Sequence, residues 1–149
     1  MREPLVVDST CLIALEWIGQ LGILPALFAS VHAPPEVERE FGSSIPWLSI
    51  EEPSDKSLLT ALKLLLDDGE AEALALSVER GWMIVLDDLH ARTVALRMGV
   101  EITGTIGILV RAKREGIIPW VKPLLDDLDR RGFRMSPALK TEALRLAGE

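Results

Sequence analysis

One cysteine, Cys11, stands among 149 residues, so no internal disulfide can staple this chain. Cys11 sits between Thr10 and Leu12-Ile13 with no histidine nearby, the setting of a buried reduced thiol rather than of a nucleophile. A reduced thiol predicts a cytoplasmic protein. No apolar run is long enough to span a bilayer, so no membrane association is expected. The first residues, Met1 to Pro4, show no basic segment leading into a cleavage site, so no signal peptide is expected. Histidine is scarce: His32 and His90 are isolated, and neither has metal-ligand spacing. There is no Gly-rich phosphate loop of the P-loop form. Asp8-Ser9-Thr10 lacks the second Asp, two residues on, that an aspartyl phosphatase would need. Internal repeats and low-complexity linkers are also missing.

Positive charge is in short supply as well. The chain has 16 Lys/Arg against 23 Asp/Glu, a net of −7. The deficit is uneven, because residues 1–75 carry a net of −9 and residues 76–149 a net of +2. Bulk electrostatics therefore works against nucleic acid, and any nucleic-acid reading needs a local basic strip and a cation.

What is present is a chain 48% hydrophobic and 26% charged, enough for a buried core within one domain over residues 1–149. Leu5-Val6-Val7 reads as a buried strand ending in Asp8, and Ser9 or Thr10 is placed to cap the helix that follows. A short helix is expected around Pro25 to Ala29, a strand at Val31 to Ala33, and a helix opened by Pro34-Pro35 and stopped by Gly42. Trp47 to Ile50 reads as an edge strand. Ser54 starts a helix expected to end near Asp68-Gly69, and another runs from Glu70 to Arg80, closed by Gly81. Trp82 to Leu86 is a strand ending in Asp87-Asp88. A helix through Ala91 and Met98, a brief strand at Val100 to Ile102, and helices at Thr105 to Arg114, Pro119 to Arg131 and Pro137 to Leu146 complete the chain. Trp17, Trp47, Trp82 and Trp120 are expected in the core or at an interface.

Strands alternating with helices predict an α/β fold: three layers, α/β/α, around a central, mainly parallel sheet. The core would cover about residues 5–120, with C-terminal helices over about 119–147. In such sheets ligands gather off the carboxyl ends of the strands. That rule brings Asp8 and Asp87/Asp88 to one rim, although about eighty residues separate them.

Carboxylates do not cluster unaided, since like charges repel and one tends to stay protonated. A divalent cation resolves the conflict, and Mg²⁺ or Mn²⁺ favours oxygen ligands. The candidate catalytic acids are Asp8, Glu40, Glu70, Asp87 and Asp88, with Asp8, Glu70, Asp87 and Asp88 as the metal ligands. Ser9 and Thr10 are placed to support an acid or its bound water. Arg92, four residues after Asp88, is placed either to meet a phosphate or to pair with Asp88. Arg97, Arg111, Lys113 and Arg114 form a basic strip, and Arg92, Arg97 and Lys113 are the candidate RNA contacts. Each acid also has a plain structural reading, as a helix cap or as a solvated face.

Several of these stretches resemble the motifs of PIN domains. Val7-Asp8-Ser9-Thr10 is similar to the first, an Asp closing the first strand. Pro35-Glu36-Val37-Glu38-Arg39-Glu40 resembles the segment that supplies a second acid, which falls on Glu40. Asp68-Gly69-Glu70-Ala71-Glu72-Ala73 resembles a helix start that puts the third acid on Glu70, and Val85-Leu86-Asp87-Asp88 resembles the last acidic motif. Thr103-Gly104-Thr105-Ile106-Gly107, with Gly116-Ile117-Ile118, resembles the tail of a DUF3368-type subfamily grouped with VapC-like toxins. The resemblance implies Mg²⁺ or Mn²⁺, hydrolysis of RNA, homodimers and a cognate antitoxin. Two positions depart from the pattern: Leu86 stands where PIN toxins carry Thr, and the third acid is Glu70 rather than Asp. Motif spacing favours Asp88 as the strand-end ligand, whereas the strand-end position favours Asp87. A PIN-like module that binds a nucleic acid or protein partner without catalysis is the competing expectation.

Overall fold

The computed structural model describes residues 2–149; Met1 lies outside them. Short runs of apolar, largely β-branched residues form the strands. They are β1 (Pro4–Val6), β2 (Ser30–Ala33), β3 (Leu48–Ile50), β4 (Met83–Val85) and β5 (Ile102–Thr103). They pair in the order β3-β2-β1-β4-β5, and every pairing is parallel. A parallel sheet hides both faces, which is why Leu5, Val6, Ile84 and Val85 are all fully buried. Val7 and Leu86, the next residue along each of those two strands, are fully buried as well.

The helices among the described residues are α1 (Ser9–Trp17), α2 (Ile23–Leu27), α3 (Pro35–Phe41), α4 (Lys56–Lys63) and α5 (Asp68–Arg80), followed by α6 (Leu89–Arg97), α7 (Thr105–Arg114), α8 (Lys122–Arg130) and α9 (Pro137–Leu146). Helices flank the parallel sheet in the expected α/β/α arrangement. Helix α5 is the central one: it packs on β1 and β4 and touches α3 and α4. Its Ala71, Ala73, Leu74, Ala75 and Leu76 are all fully buried, and the alanines let it lie close to its neighbours.

Chain order decides where a site can form. From β1 the chain steps to β2 and β3 on one side, then crosses back to β4 and β5 on the other. Strand β1 therefore has partners from both halves, and a crevice opens where the order reverses. The residues that leave β1 and β4 at that crevice lead directly into Asp8 and into Asp87-Asp88.

The structure corrects several boundaries. The helix expected to run from Ser54 to Asp68-Gly69 stops at Lys63, and α5 begins at Asp68. Asp67 causes the break: its Oδ1 accepts the Glu70 N–H at 2.8 Å, starting a new helix where an old one was expected to end. The cap of α1 is Asp8, whose Oδ1 accepts the Cys11 N–H at 3.0 Å, and not Ser9 or Thr10. Trp47 and Trp82 pack against the core, whereas Trp17 and Trp120 are 42% and 60% exposed.

His32 is not isolated. Its Nδ1 bonds Glu51, its Nε2 lies 2.7 Å from Ser30 Oγ, and its ring stacks on Trp82 with centroids 4.1 Å apart. Arg80 closes this set with a 2.9 Å pair to Glu51. The set ties β2, the segment after β3 and the end of α5 together.

Candidate active site

Three helix starts build the acidic rim. Asp8 caps α1, Asp67 caps α5 and Asp88 caps α6, each accepting a backbone N–H from the first turn of its helix. The capping that shapes the local fold thus also brings three carboxylates to the carboxyl ends of the strands. Glu70 joins them from the first turn of α5, Glu40 from the last turn of α3, and Asp87 from the end of β4.

Asp8 is the most deeply placed, with 5% of its surface exposed. Its pKa is pushed well above the usual carboxylate range, first by burial and then by the charges of Asp87 and Glu70. Burial also raises Asp87, although two bonds from Thr105 oppose the shift. The Thr105 N–H donates to Asp87 Oδ1 at 2.8 Å and its hydroxyl to Oδ2 at 2.6 Å. Glu70 is pushed up to about 7 by burial and by the charges of Asp67 and Asp88. Glu40 is raised by burial, with Asp67 adding to the shift and the Ser9 hydroxyl, 3.1 Å away, opposing it. The five acids expected from the sequence therefore occupy one electrostatic neighbourhood, joined by Asp67. Cys11, buried as expected, lies within reach of Asp8 and Asp87.

The acids form two groups within this neighbourhood. Asp8 and Asp87 are deep and hydrogen-bonded. Glu70, Asp67 and Asp88 are more exposed, and Glu40 lies against Gly69 at the start of α5. Both strand-end acids thus belong to the rim, Asp87 facing Asp8 and Asp88 facing Glu70. Among the described residues, no three Asp, Glu, His or Cys side chains are gathered closely enough to hold a metal ion. The donors are all hard carboxylate oxygens, and burial first, then the charge of neighbouring acids, raises the pKa of Asp8 and of Glu70. A cation such as Mg²⁺, which takes one or two carboxylates and keeps several waters, fits such a set better than a closed cage would.

The supporting residues divide. Ser9 holds Glu40, while Thr10 is exposed. Arg92 neither pairs with Asp88 nor stands free: one guanidinium nitrogen donates to the Leu86 carbonyl at 2.8 Å. Its charge lowers the pKa of Asp87, so it stands at the mouth of the site. Arg97 is exposed on the last turn of α6. Lys113 is placed elsewhere, bonded to Glu149 at 3.1 Å with its ammonium 4.7 Å from the centre of the Trp120 ring.

Sequence reasoning passed over Asp67 and Thr105. The spacing of Asp67 three residues before Glu70 is that of a capping box and was a usable signal. Thr105 was read only as a helix start, and nothing local in the sequence shows that it faces Asp87.

Fold and site together define an α/β domain with an acidic cleft at its topological switch point. The chain belongs to the PIN-domain family: the DUF3368 family model, a PIN domain, matches residues 4–149. No curated protein sequence matches it. PIN domains are typically nucleases and generally use divalent metals.

Proposed function

We propose that this protein is a metal-dependent endoribonuclease. The observation that carries the reading is the gathering of carboxylates at the carboxyl ends of β1 and β4. Asp8 is buried at the start of α1, Asp87 is held by Thr105, and Glu70 and Asp88 stand in the first turn of α5 and at the cap of α6. Burial first and the neighbouring charges second raise the pKa of Asp8 and of Glu70. Such an arrangement costs stability unless a cation answers it. Among Asp8, Asp87, Glu70 and Asp88, one or two would hold Mg²⁺ or Mn²⁺ directly and the others through its waters. When bound, such an ion supplies an activated water and screens charge on the leaving phosphate oxygen.

The chain's own residues have separable tasks. Thr105 fixes both oxygens of Asp87, so that carboxylate cannot rotate away. Asp8 spends one oxygen on the Cys11 N–H and keeps the other for the cleft. Glu40, held by Ser9, adds negative charge on the α3 side, where it can accept a proton. Arg92 brings positive charge to the mouth beside Asp87, and Arg97 adds charge one helix face away. The reduced Cys11 supports a cytoplasmic protein, and resemblance supports a homodimer that is the toxin of a toxin–antitoxin pair, restrained by a cognate antitoxin.

Calorimetric titration of Mn²⁺ and Mg²⁺ into the wild type and Asp8→Asn, with cleavage of single-stranded RNA followed in parallel, tests this. Binding and cleavage in the wild type, both lost in a folded Asp8→Asn, support it. Cleavage retained in Asp8→Asn would sink it. One observation favours a second reading, a catalytically degenerate module that binds RNA or a protein partner: the described residues hold no ready three-ligand cage. No metal binding in the wild type would select that reading.

A further inference from the structure

A groove of about 800 Å³ begins at Asp87 and Arg92 and runs between α7, α9 and the segment that joins α8 to α9. Its floor is apolar, with Leu139 and Phe133 among its walls, and its rim carries Arg114 and Arg134. The acids on the rim are already answered. Glu115 is bonded to Arg111 at 2.8 Å and Glu142 to Arg145 at 2.6 Å. Arg111 is spent on Glu3 and Glu115. Among the described residues Arg114 uses only its Nε, on the Leu146 carbonyl at 3.1 Å. Arg134 is exposed, with no hydrogen bond or ion pair found for it among the described residues. Apart from Asp87 at its mouth, the unspent charge in the groove is therefore positive, on a chain whose net charge is −7.

Asp87 belongs both to the groove and to the acid cleft. The groove opens at Asp87, so a chain with one phosphate at the cleft has a channel into which it can continue. Guanidinium groups along a rim suit phosphates. A partly buried aromatic beside them, with an exposed edge, suits an unpaired base. We infer that this groove seats the single-stranded RNA adjoining the cleaved bond, with Arg114 and Arg134 on its phosphates and Phe133 against one base. This deepens the nuclease reading and rests on it. Phe133 and Arg134 lie outside every motif noted in the sequence, so the C-terminal helices serve substrate as well as packing.

The test is fluorescence anisotropy with labelled single-stranded RNA of about a dozen nucleotides, in EDTA so that nothing is cleaved, across a range of salt. Phe133→Ala is expected to weaken binding about tenfold, the loss of one stacked base. Arg134→Ala and Arg114→Ala should each make the salt dependence shallower, by about 0.7 in slope for one phosphate contact on a single strand. Arg130→Ala removes the same charge from α8 outside the groove and should leave binding unchanged. Thermal unfolding checks that each variant is folded. The inference falls if the wild type binds no RNA, if the groove variants bind as the wild type does, or if Arg130→Ala costs as much as Arg134→Ala. It also falls if an acidic peptide binds and RNA does not. Groove-dependent binding without any cleavage in Mn²⁺ would overturn the nuclease reading and leave the RNA groove standing. Cleavage unaffected by the groove variants would do the reverse.

Discussion

Glu40 lies against the bare backbone of Gly69: a Cβ built there would stand 2.2 Å from Oε1 of Glu40. Only hydrogen at that position lets the α3 carboxylate come over the start of α5. In most helices Gly→Ala stabilises by about 0.5–1 kcal/mol. Here the gain meets a clash with the end of a flexible side chain, which can swing away. Gly69→Ala is therefore expected to fold normally yet to lose as much cleavage as Glu40→Ala, and the double variant to be no worse than either. Unfolding midpoints and cleavage rates of the two single variants and the double variant check this. Additive losses would mean that Gly69 acts through something other than Glu40.

Asp8→Asn should not harm the metal-free fold. The amide oxygen can still accept the Cys11 N–H, and the change removes a buried carboxyl that Asp87 and Glu70 repel. Its unfolding temperature in EDTA at about pH 8 is expected to equal or exceed that of the wild type. Added Mn²⁺ should then stabilise the wild type and not the variant. A markedly less stable Asp8→Asn would make Asp8 a structural residue first.

Thr105→Val keeps the shape of a fully buried side chain and removes the hydroxyl that meets Asp87 Oδ2 at 2.6 Å. The backbone N–H remains. A lost hydrogen bond to a carboxylate costs about 1.5–3 kcal/mol. The variant should be less stable by about that amount and should bind Mn²⁺ more weakly, because Asp87 gains freedom. Denaturant unfolding and calorimetry on the same preparation test both parts.

Stability should fall with rising pH in the absence of metal. Asp8, Glu40, Glu70 and Asp87 all have raised pKa values, Glu70 to about 7. In this window the folded state binds more protons than the unfolded chain, so each step up in pH favours unfolding. The window runs from the ordinary carboxylate range, about pH 4.5, to above 7. The acids with lowered values, Glu3, Glu79, Asp126, Glu142 and Glu149 among them, act below it, where their stabilisation is lost as pH drops. Thermal unfolding in EDTA should therefore show a maximum near pH 5 and a decline towards pH 8. Since a cation competes with those protons, its stabilising effect should grow over the same range. A flat profile between these limits would show that the carboxyls titrate normally.

Much of the fold is legible in the residues themselves. Apolar strand runs bounded by Asp and Gly, and helices closed by Gly42 and Gly81 in left-handed conformation, place most elements within two or three residues. Parallel pairing and strand-end placement then bring Asp8 to Asp87 without any contact information. The parts that stayed hidden depend on side chains from distant segments. Thr105 meets Asp87, and Glu51 meets His32, through tertiary packing that no local pattern encodes. Lys113 had the right charge and helix for a substrate contact, yet Glu149 and Trp120 hold it. The gap between α4 and α5 was misplaced because Asp67 starts a helix in a stretch whose composition suits a continuous one.

The double duty of the capping aspartates changes what their presence can tell. Losing an N-cap side chain costs about 0.5–2 kcal/mol, so a capping residue, Asp or Asn, would be retained at positions 8, 67 and 88 by selection for stability alone. Asp87 is also anchored, since it satisfies a backbone N–H at the start of α7. Glu70 reaches back to the backbone of Asp67, the cap of its own helix. Glu40 accepts only the Ser9 hydroxyl among the described residues, and no helix cap needs it to be charged. In a lineage that gave up catalysis, the capping acids would linger as relics while Glu40 drifted. A survey of natural variants at position 40 therefore reports on activity, whereas the capping acids report mainly on the fold.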